Sequence, residues 1–148
     1  MSSKLFSLDM DQSTKEAYLS VRTADIRAIR AIRQTFYWLG KDLYGDSRTL
    51  IKRGRRTGRT YRYKGRRYKA SAPGEPPQRV SGKLRASMKI KVQGAQSLTF
   101  GATAKYASDL EEGTPKMAQR PFLKVTVEKN RQNALNIGER EFNKEFGQ

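Results

Sequence analysis

Residues 48–69 carry the side chains best suited to binding a polyanion. This stretch contains eleven Lys and Arg residues, no Asp or Glu, and three interleaved tyrosines. Clustered cations bind phosphates or carboxylates, and tyrosines add flat faces for stacking. The cations expected to face DNA or a partner protein are Arg53, Arg55, Arg56, Arg59, Arg62, Lys64, Arg66 and Arg67. The sequence has no recognition helix or base-reading motif, so any DNA contact would be to phosphates and independent of sequence. The alternative is a basic loop that is only solvated.

The densest acidic cluster consists of Asp109, Glu111 and Glu112, with Lys116 nearby. Such carboxylates could hold Mg²⁺ in a phosphodiesterase. Metal-dependent nuclease sites need carboxylates from several elements, however, and no other acid is clearly placed to join these. A solvated helix face or an ion pair between subunits is the favoured interpretation. We therefore assign no catalytic residue, no metal ligand and no cofactor.

The composition excludes much familiar enzymology. The chain has 148 residues, no Cys and no His, which removes disulfides, thiol nucleophiles, imidazole bases and the commonest zinc ligands. No base is visible to activate a Ser or Tyr, so we expect no enzyme. No apolar run approaches the roughly 20 residues that span a bilayer, and no signal peptide is evident. These features predict one soluble domain over residues 1–148, with no membrane partner.

A long N-terminal helix is predicted from the spacing of apolar residues. They recur at three- and four-residue steps between Tyr18 and Leu43, which indicates a helix of about thirty residues ending near Gly45. Further apolar residues widen this surface beyond one stripe, namely Ile26, Ile29, Tyr37 and Trp38. They indicate either a second contact, with a neighbouring subunit, or a broad face directed at the core.

A protruding basic arm is predicted over residues 48–70. Residues 49–51 are β-prone, residues 60–63 alternate in the manner of a strand, and Lys64-Gly65 suits a turn with positive φ. Residues 67–69 would form the return strand. Tyr61, Tyr63 and Tyr68 would then make contacts across the two strands.

The remaining elements complete an α+β pattern. In order, the sequence predicts a turn-rich segment at 70–77, a short helical turn at 81–87, strands at 88–92 and 98–102, a short helix at 106–112 and a last helix beginning at Pro121. We therefore expect a long N-terminal helix and a C-terminal helix packed on an antiparallel sheet, with a protruding basic β-hairpin.

Four blocks of this sequence resemble a known family. The blocks are residues 70–77 (Ala-Ser-Ala-Pro-Gly-Glu-Pro-Pro), 81–88 (Ser-Gly-Lys-Leu-Arg-Ala-Ser-Met), 106–114 and 116–123. In this order and spacing they resemble the tail-completion or neck proteins of tailed bacteriophages, typified by gene product ten of Hong Kong 97-type phages. The resemblance covers about half of the chain. Ser81 stands where that family more often has Thr, and Met88 where it more often has a β-branched residue.

The resemblance implies a structural virion protein without catalytic residues. Such a subunit would form a ring with copies of itself, a hexamer in preference to a dodecamer, at the head–tail junction. It would join the connector or adaptor proteins to the tail tube around the genome channel, with non-specific contact to packaged DNA as a further option. It would be found in the virion, and in the host cytoplasm during assembly. The alternative is a nucleic-acid-binding protein without sequence specificity.

The family pattern also implies roles for particular residues in the fold or at an interface. Those positions are Pro73, Gly74, Glu75, Pro76, Glu112, Gly113, Thr114, Arg120, Pro121 and Phe122. The first four would shape a loop at a contact between subunits or rings. The next three would end a short helix near an interface, and the last three would anchor the final helix on the sheet. Each could equally serve only to fix the fold of one subunit.

Overall fold

The structure, a computed structural model, describes residues 12–95 and 97–147, without the side chains of residues 12–15, 17 and 18. It confirms the predicted α+β class, with long helices at both ends of the described chain. The elements are α1 (Gln12–Arg53), β1 (Thr60–Tyr63), β2 (Arg66–Lys69), α2 (Lys83–Ala86), β3 (Met88–Gln93), β4 (Ser97–Ala102), α3 (Ala107–Glu112) and α4 (Leu123–Phe146). The predicted strands form two antiparallel pairs, the basic hairpin β1–β2 and the pair β3–β4.

Helix α1 is longer than predicted and takes over the start of the expected basic arm. Its 42 residues continue past Gly45 to Arg53, so the β-prone run at 49–51 is helical. Leu43, Ser47 and Ile51 follow one another at four-residue steps and are all buried. Burial of Ile51 in the core outweighs a weak local strand propensity. The basic arm therefore begins after Arg53 and not at residue 48.

Helix α4 packs antiparallel along α1 and not on the sheet. Asp46 of α1 accepts a hydrogen bond from Asn130 at 2.9 Å and forms a salt bridge with Lys129 at 3.1 Å. Near the other end of the pair, Arg30 forms a salt bridge with Glu145 at 3.3 Å. Strands β3 and β4 also pack against α1, which makes that helix the central element. The predicted helix start at Pro121 lies two residues early, because α4 begins at Leu123.

A small core joins the C-terminal half of α1 to the segments that follow it. Its buried members are Ile51, Leu84, Met88, Ala107 and Phe122. They come from α1, α2, β3, α3 and the residue before α4. Ile51, Met88 and Phe122 are each at most 1% exposed. One cluster thus fixes the second half of α1 to α2, β3, α3 and the start of α4.

The N-terminal half of α1 presents apolar side chains that the described chain leaves exposed. Leu19, Val21 and Ile26 are 57%, 61% and 51% exposed. At the end of α4, the centre of the Phe146 ring lies 4.7 Å from the Arg27 guanidinium of α1. Of the residues that widen the predicted apolar surface, Ile29 and Tyr37 are also 44% and 56% exposed and Trp38 is half-buried, so the core-facing interpretation does not hold for this surface as a whole. Among the described residues, no helix is long and apolar enough to cross a membrane.

Candidate functional site

The predicted hairpin is present, with the turn at the expected dipeptide. Strands β1 and β2 pair with Thr60 opposite Lys69 and Tyr63 opposite Arg66. Lys64 and Gly65 connect them with φ values of +49° and +74°. Two successive residues with positive φ form the tight turn whose twist matches that of paired strands. The chain therefore reverses direction at the two residues that the sequence indicates.

Tyrosines pack together along the hairpin. The Tyr68 ring centre lies 6.1 Å from that of Tyr61 in a stacked arrangement and 6.2 Å from that of Tyr63 in an edge-to-face arrangement. An isolated two-stranded hairpin is only marginally stable in water. The aromatic contacts predicted from the sequence therefore add stability where the hairpin buries little else. Tyr61 and Tyr63 each remain 40% exposed.

The predicted cations lie at three places and all are exposed. Arg53 ends α1, whereas Arg55 and Arg56 lie in the segment between α1 and β1. Those on the hairpin or just before it are Arg59, Arg62, Lys64, Arg66 and Arg67. Within residues 12–95 and 97–147, none of the eight forms a salt bridge. The hairpin therefore presents uncompensated positive charge to solvent, as a polyanion-binding surface requires.

The hairpin stands on a hydrogen-bonded segment that we call the hairpin base, residues 57–59, 70–75 and 119–122. The Gly58 amide donates to the Ala70 carbonyl at 2.8 Å, and the Ala70 amide donates to Arg59 at 2.9 Å. These bonds extend the β1–β2 pairing into the base. A Cβ atom on Gly58 would lie 2.3 Å from the Ser71 carbonyl oxygen. Glycine at this position therefore permits the close approach of the two backbones.

Glu75 ties the predicted loop to the hairpin base. Its carboxylate accepts a hydrogen bond from the Thr57 hydroxyl and another from the Ala72 amide at 3.2 Å. The Thr57 bond is the main reason that the pKa of Glu75 is held below its ordinary value. The adjacent Gly74 has φ +80°, and its amide donates to Gln119 at 2.9 Å. Pro73 is exposed and Pro76 half-buried on either side.

The later family positions meet the same base from the other side. The Arg120 guanidinium donates to the Ser71 carbonyl at 3.4 Å, and its amide donates to Leu110 at 2.6 Å. Glu112 is exposed and ends α3 as predicted, followed by Gly113 with φ +82°. Thr114 pairs with Met117 through two backbone hydrogen bonds. Pro121 is half-buried, and Phe122 inserts into the core.

Glu111 has a structural role that its sequence position does not reveal. Its two carboxylate oxygens accept hydrogen bonds from the amides of Phe122, Leu123 and Lys124 at 2.8–2.9 Å. A carboxylate at this place satisfies the free amides and the positive end of the α4 dipole. Both oxygens are thus used on backbone, which argues against the nuclease interpretation of this cluster. Within the described ranges, no group of three or more His, Cys, Asp or Glu side chains could hold a metal ion.

No protein-family model, curated protein or solved structure matches the chain. Three features of the chain bear on its function: the geometry of the hairpin, the exposed part of α1 and the four sequence blocks.

Proposed function

We propose that the chain is a structural subunit of a tailed-bacteriophage neck, forming a ring at the head–tail junction. The observation that carries the proposal is the convergence of the four family-like blocks. Leu84, Met88, Ala107 and Phe122 come from three of them and share one core cluster. Residues of the first block meet Gln119 and Arg120 of the fourth at the hairpin base. Blocks that resemble the family in sequence thus act as one unit in the fold.

Self-association is supported by the exposed apolar residues of α1. A soluble subunit that leaves Leu19, Val21 and Ile26 more than half exposed has a reason to bury them against another molecule. A head-to-tail interface between copies buries the same residues in every subunit, and it produces a ring when the last copy contacts the first. We favour a hexamer over a dodecamer. The neighbours above and below the ring would be the connector or adaptor and the tail tube.

The hairpin would then act in several copies. A ring repeats the exposed Arg62, Arg66 and Arg67 of each subunit around one axis, which concentrates positive charge at one radius. That charge would face either the packaged DNA or an acidic neighbouring ring. Either contact would help to join the connector to the tail and to retain the genome.

The experiment replaces six arginines of the hairpin and of the segment before it, in the virus that encodes the chain; we call the product the hairpin variant. We expect the variant with Gln at Arg55, Arg56, Arg59, Arg62, Arg66 and Arg67 to fold normally and to give few DNA-filled infectious particles. The matched control places Gln at six exposed cations elsewhere, Lys89, Lys91, Lys105, Lys116, Lys124 and Arg131. Normal yields from the hairpin variant would contradict the proposed role.

A second candidate is a free nucleic-acid-binding protein without sequence specificity. Uncompensated arginines beside partly exposed tyrosines support it, because phosphates and stacked bases suit these groups. Such a protein would bind duplex DNA as a monomer. Its log affinity would fall against log salt by about 0.9 for each phosphate contacted. Monomeric binding with this salt dependence, together with absence from virus particles, would favour this function over the neck.

A further inference from the structure

A groove of about 670 Å³ lies between the hairpin and residues 77–85. Its apolar lining includes Ile51, Leu84, Leu110 and Met117, and Tyr61 and Tyr63 line the hairpin side. Val80 also lines it and is 36% exposed. Partly exposed tyrosines and an exposed valine beside a core cluster show that the groove is not filled by the described chain. An apolar side chain entering it would bury surface that is otherwise in water.

The polar lining of the groove is entirely positive or neutral. Its charged residues are Arg59, Lys69, Arg79, Lys83, Arg85 and Arg120, and no Asp or Glu lines it. Two lining residues also hold buried polar atoms without a partner in the described chain, Ser71 Oγ and Arg85 Nε. Phosphates would satisfy the cations but leave the apolar lining uncovered. The fitting ligand is an extended peptide with apolar side chains on one face and carboxylates on the other.

The sequence before α1 has this pattern of alternating apolar and acidic or polar residues. In residues 6–11, apolar and polar residues alternate as Phe6, Ser7, Leu8, Asp9, Met10 and Asp11. Alternation at a period of two places the apolar side chains of an extended peptide on one face and both carboxylates on the other. The apolar face matches the apolar lining, and the carboxylates match the cations. We propose that residues 6–11 of a second copy of this chain bind in the groove.

The segment must come from a second copy, because residues 6–11 are too few to reach the groove of their own chain. Helix α1 is continuous from Gln12 to Arg53, so at 1.5 Å per residue about 58 Å separate Gln12 from Ile51 in the groove. Phe6 precedes Gln12 by six residues, which span at most about 22 Å even when fully extended. A chain therefore cannot place its own Phe6 on its own Ile51. The inference rests on the self-association proposed above and supplies one contact that joins neighbouring copies.

Cross-linking between full-length chains tests the contact. The native chain has no Cys, so introduced cysteines are its only thiols. Leu8→Cys chains are mixed with Val80→Cys chains and treated with a short bismaleimide. We expect dimers that contain one chain of each kind. The matched control mixes Leu8→Cys with Val127→Cys, which is on α4 and 48% exposed but does not line the groove. Yields equal to this control would overturn the proposal.

A labelled peptide of residues 1–12 tests the same contact without assembly. Its receptor is the full chain with Ser at Phe6, Leu8 and Met10, so that the receptor's own segments do not compete. We expect the labelled peptide to bind at least about tenfold more tightly than a scrambled peptide. A peptide that carries both Asp9→Lys and Asp11→Lys should lose this advantage. Equal binding of the scrambled peptide, or displacement of the labelled peptide by a single-stranded oligonucleotide but not by unlabelled peptide, would overturn the inference.

The particle mass separates this inference from the proposed ring. If the native chain forms rings and the peptide fails to bind, only the groove contact is wrong. If the peptide binds and the native chain associates into dimers or open chains without a closed ring, the groove contact stands and the ring is wrong. Sedimentation measures the particle mass of the native chain, and that of the Leu8→Cys and Val80→Cys chains before the cross-linker is added.

Discussion

The hairpin and the hairpin base are adjacent in the chain but differ in what their residues contact. All residues of the hairpin, 60–69, are exposed except the half-buried Tyr68. The base, in contrast, contains Ser71 at 2% and Phe122 at 0% exposure. Exposed charges add little to folding stability, whereas buried packing adds much. The positive charge of the hairpin is therefore available for binding, whereas the stability of the fold comes from the hairpin base and the core. Four variants, each with a control, test this division, from the largest expected effect on stability to the smallest.

Phe122→Ala should have the largest effect, because it opens a cavity at a fully buried site. We expect a loss of about 3–5 kcal/mol in the free energy of unfolding, measured by urea denaturation. Phe142→Ala is the matched control. Phe142 is 51% exposed and stacks on Phe146 with ring centres 4.5 Å apart, so we expect a loss of about 1 kcal/mol. Equal losses from the two variants would contradict the placement of the core.

Gly58→Ala should destabilise the hairpin base by about 2 kcal/mol, since its Cβ would collide with the Ser71 backbone. Gly45→Ala is the matched control, and its effect on stability should have the opposite sign. Gly45 lies inside α1 with no atom near an added Cβ, so alanine should stabilise the chain by about 0.5–1 kcal/mol. The two midpoints of thermal unfolding should therefore move in opposite directions. A stable Gly58→Ala chain would show that the close contact at the base is not required.

Glu111→Ala should cost about 1–2 kcal/mol, because three amides at the start of α4 lose their acceptor. Glu112→Ala is the neighbouring control. Glu112 is exposed, and we expect its change to remain within about 0.5 kcal/mol. Chemical denaturation of both variants measures the difference. A larger loss of stability from Glu112→Ala than from Glu111→Ala would contradict the assignment of Glu111 as the acceptor for the amides of α4.

The six arginines replaced in the hairpin variant should have the smallest effect on stability and the largest effect on binding. Replacing them with Gln should change the free energy of unfolding by less than about 0.5 kcal/mol. The affinity for duplex DNA or heparin, measured at several salt concentrations, should fall and become less dependent on salt. The control variant, with six neutralised cations elsewhere, should retain more of the affinity and more of its dependence on salt. Unfolding of the hairpin variant would show that these charges belong to the fold.

The hairpin was predictable because its signals are local. The alternating Tyr61 and Tyr63, with the adjacent Lys64-Gly65 turn, specify paired strands without reference to the rest of the chain. The end of α1 was not predictable in this way. Residues 49–51 have weak strand propensity, and their helical state follows from the burial of Ile51 beside Phe122, far along the chain.

The hairpin base could be predicted only in part. The family-like blocks identify Glu75 and Arg120 as important positions, but not what they touch. Glu75 binds Thr57 across 18 residues, and Arg120 binds Ser71 across 49. Glu111 and Glu112 are the same residue type side by side, so no local pattern tells which one caps α4. The position of the α4 N-terminus decides it, and that depends on the packing of α4 against α1.

The particle formed by the purified chain tests the central claim most directly. Sedimentation measures its mass across a range of concentrations, and negative-stain electron microscopy shows its shape. We expect a closed ring whose mass is an integer multiple of the subunit mass, with the hairpins repeated around one axis. A chain that stays monomeric throughout, and binds duplex DNA in that state, would contradict it.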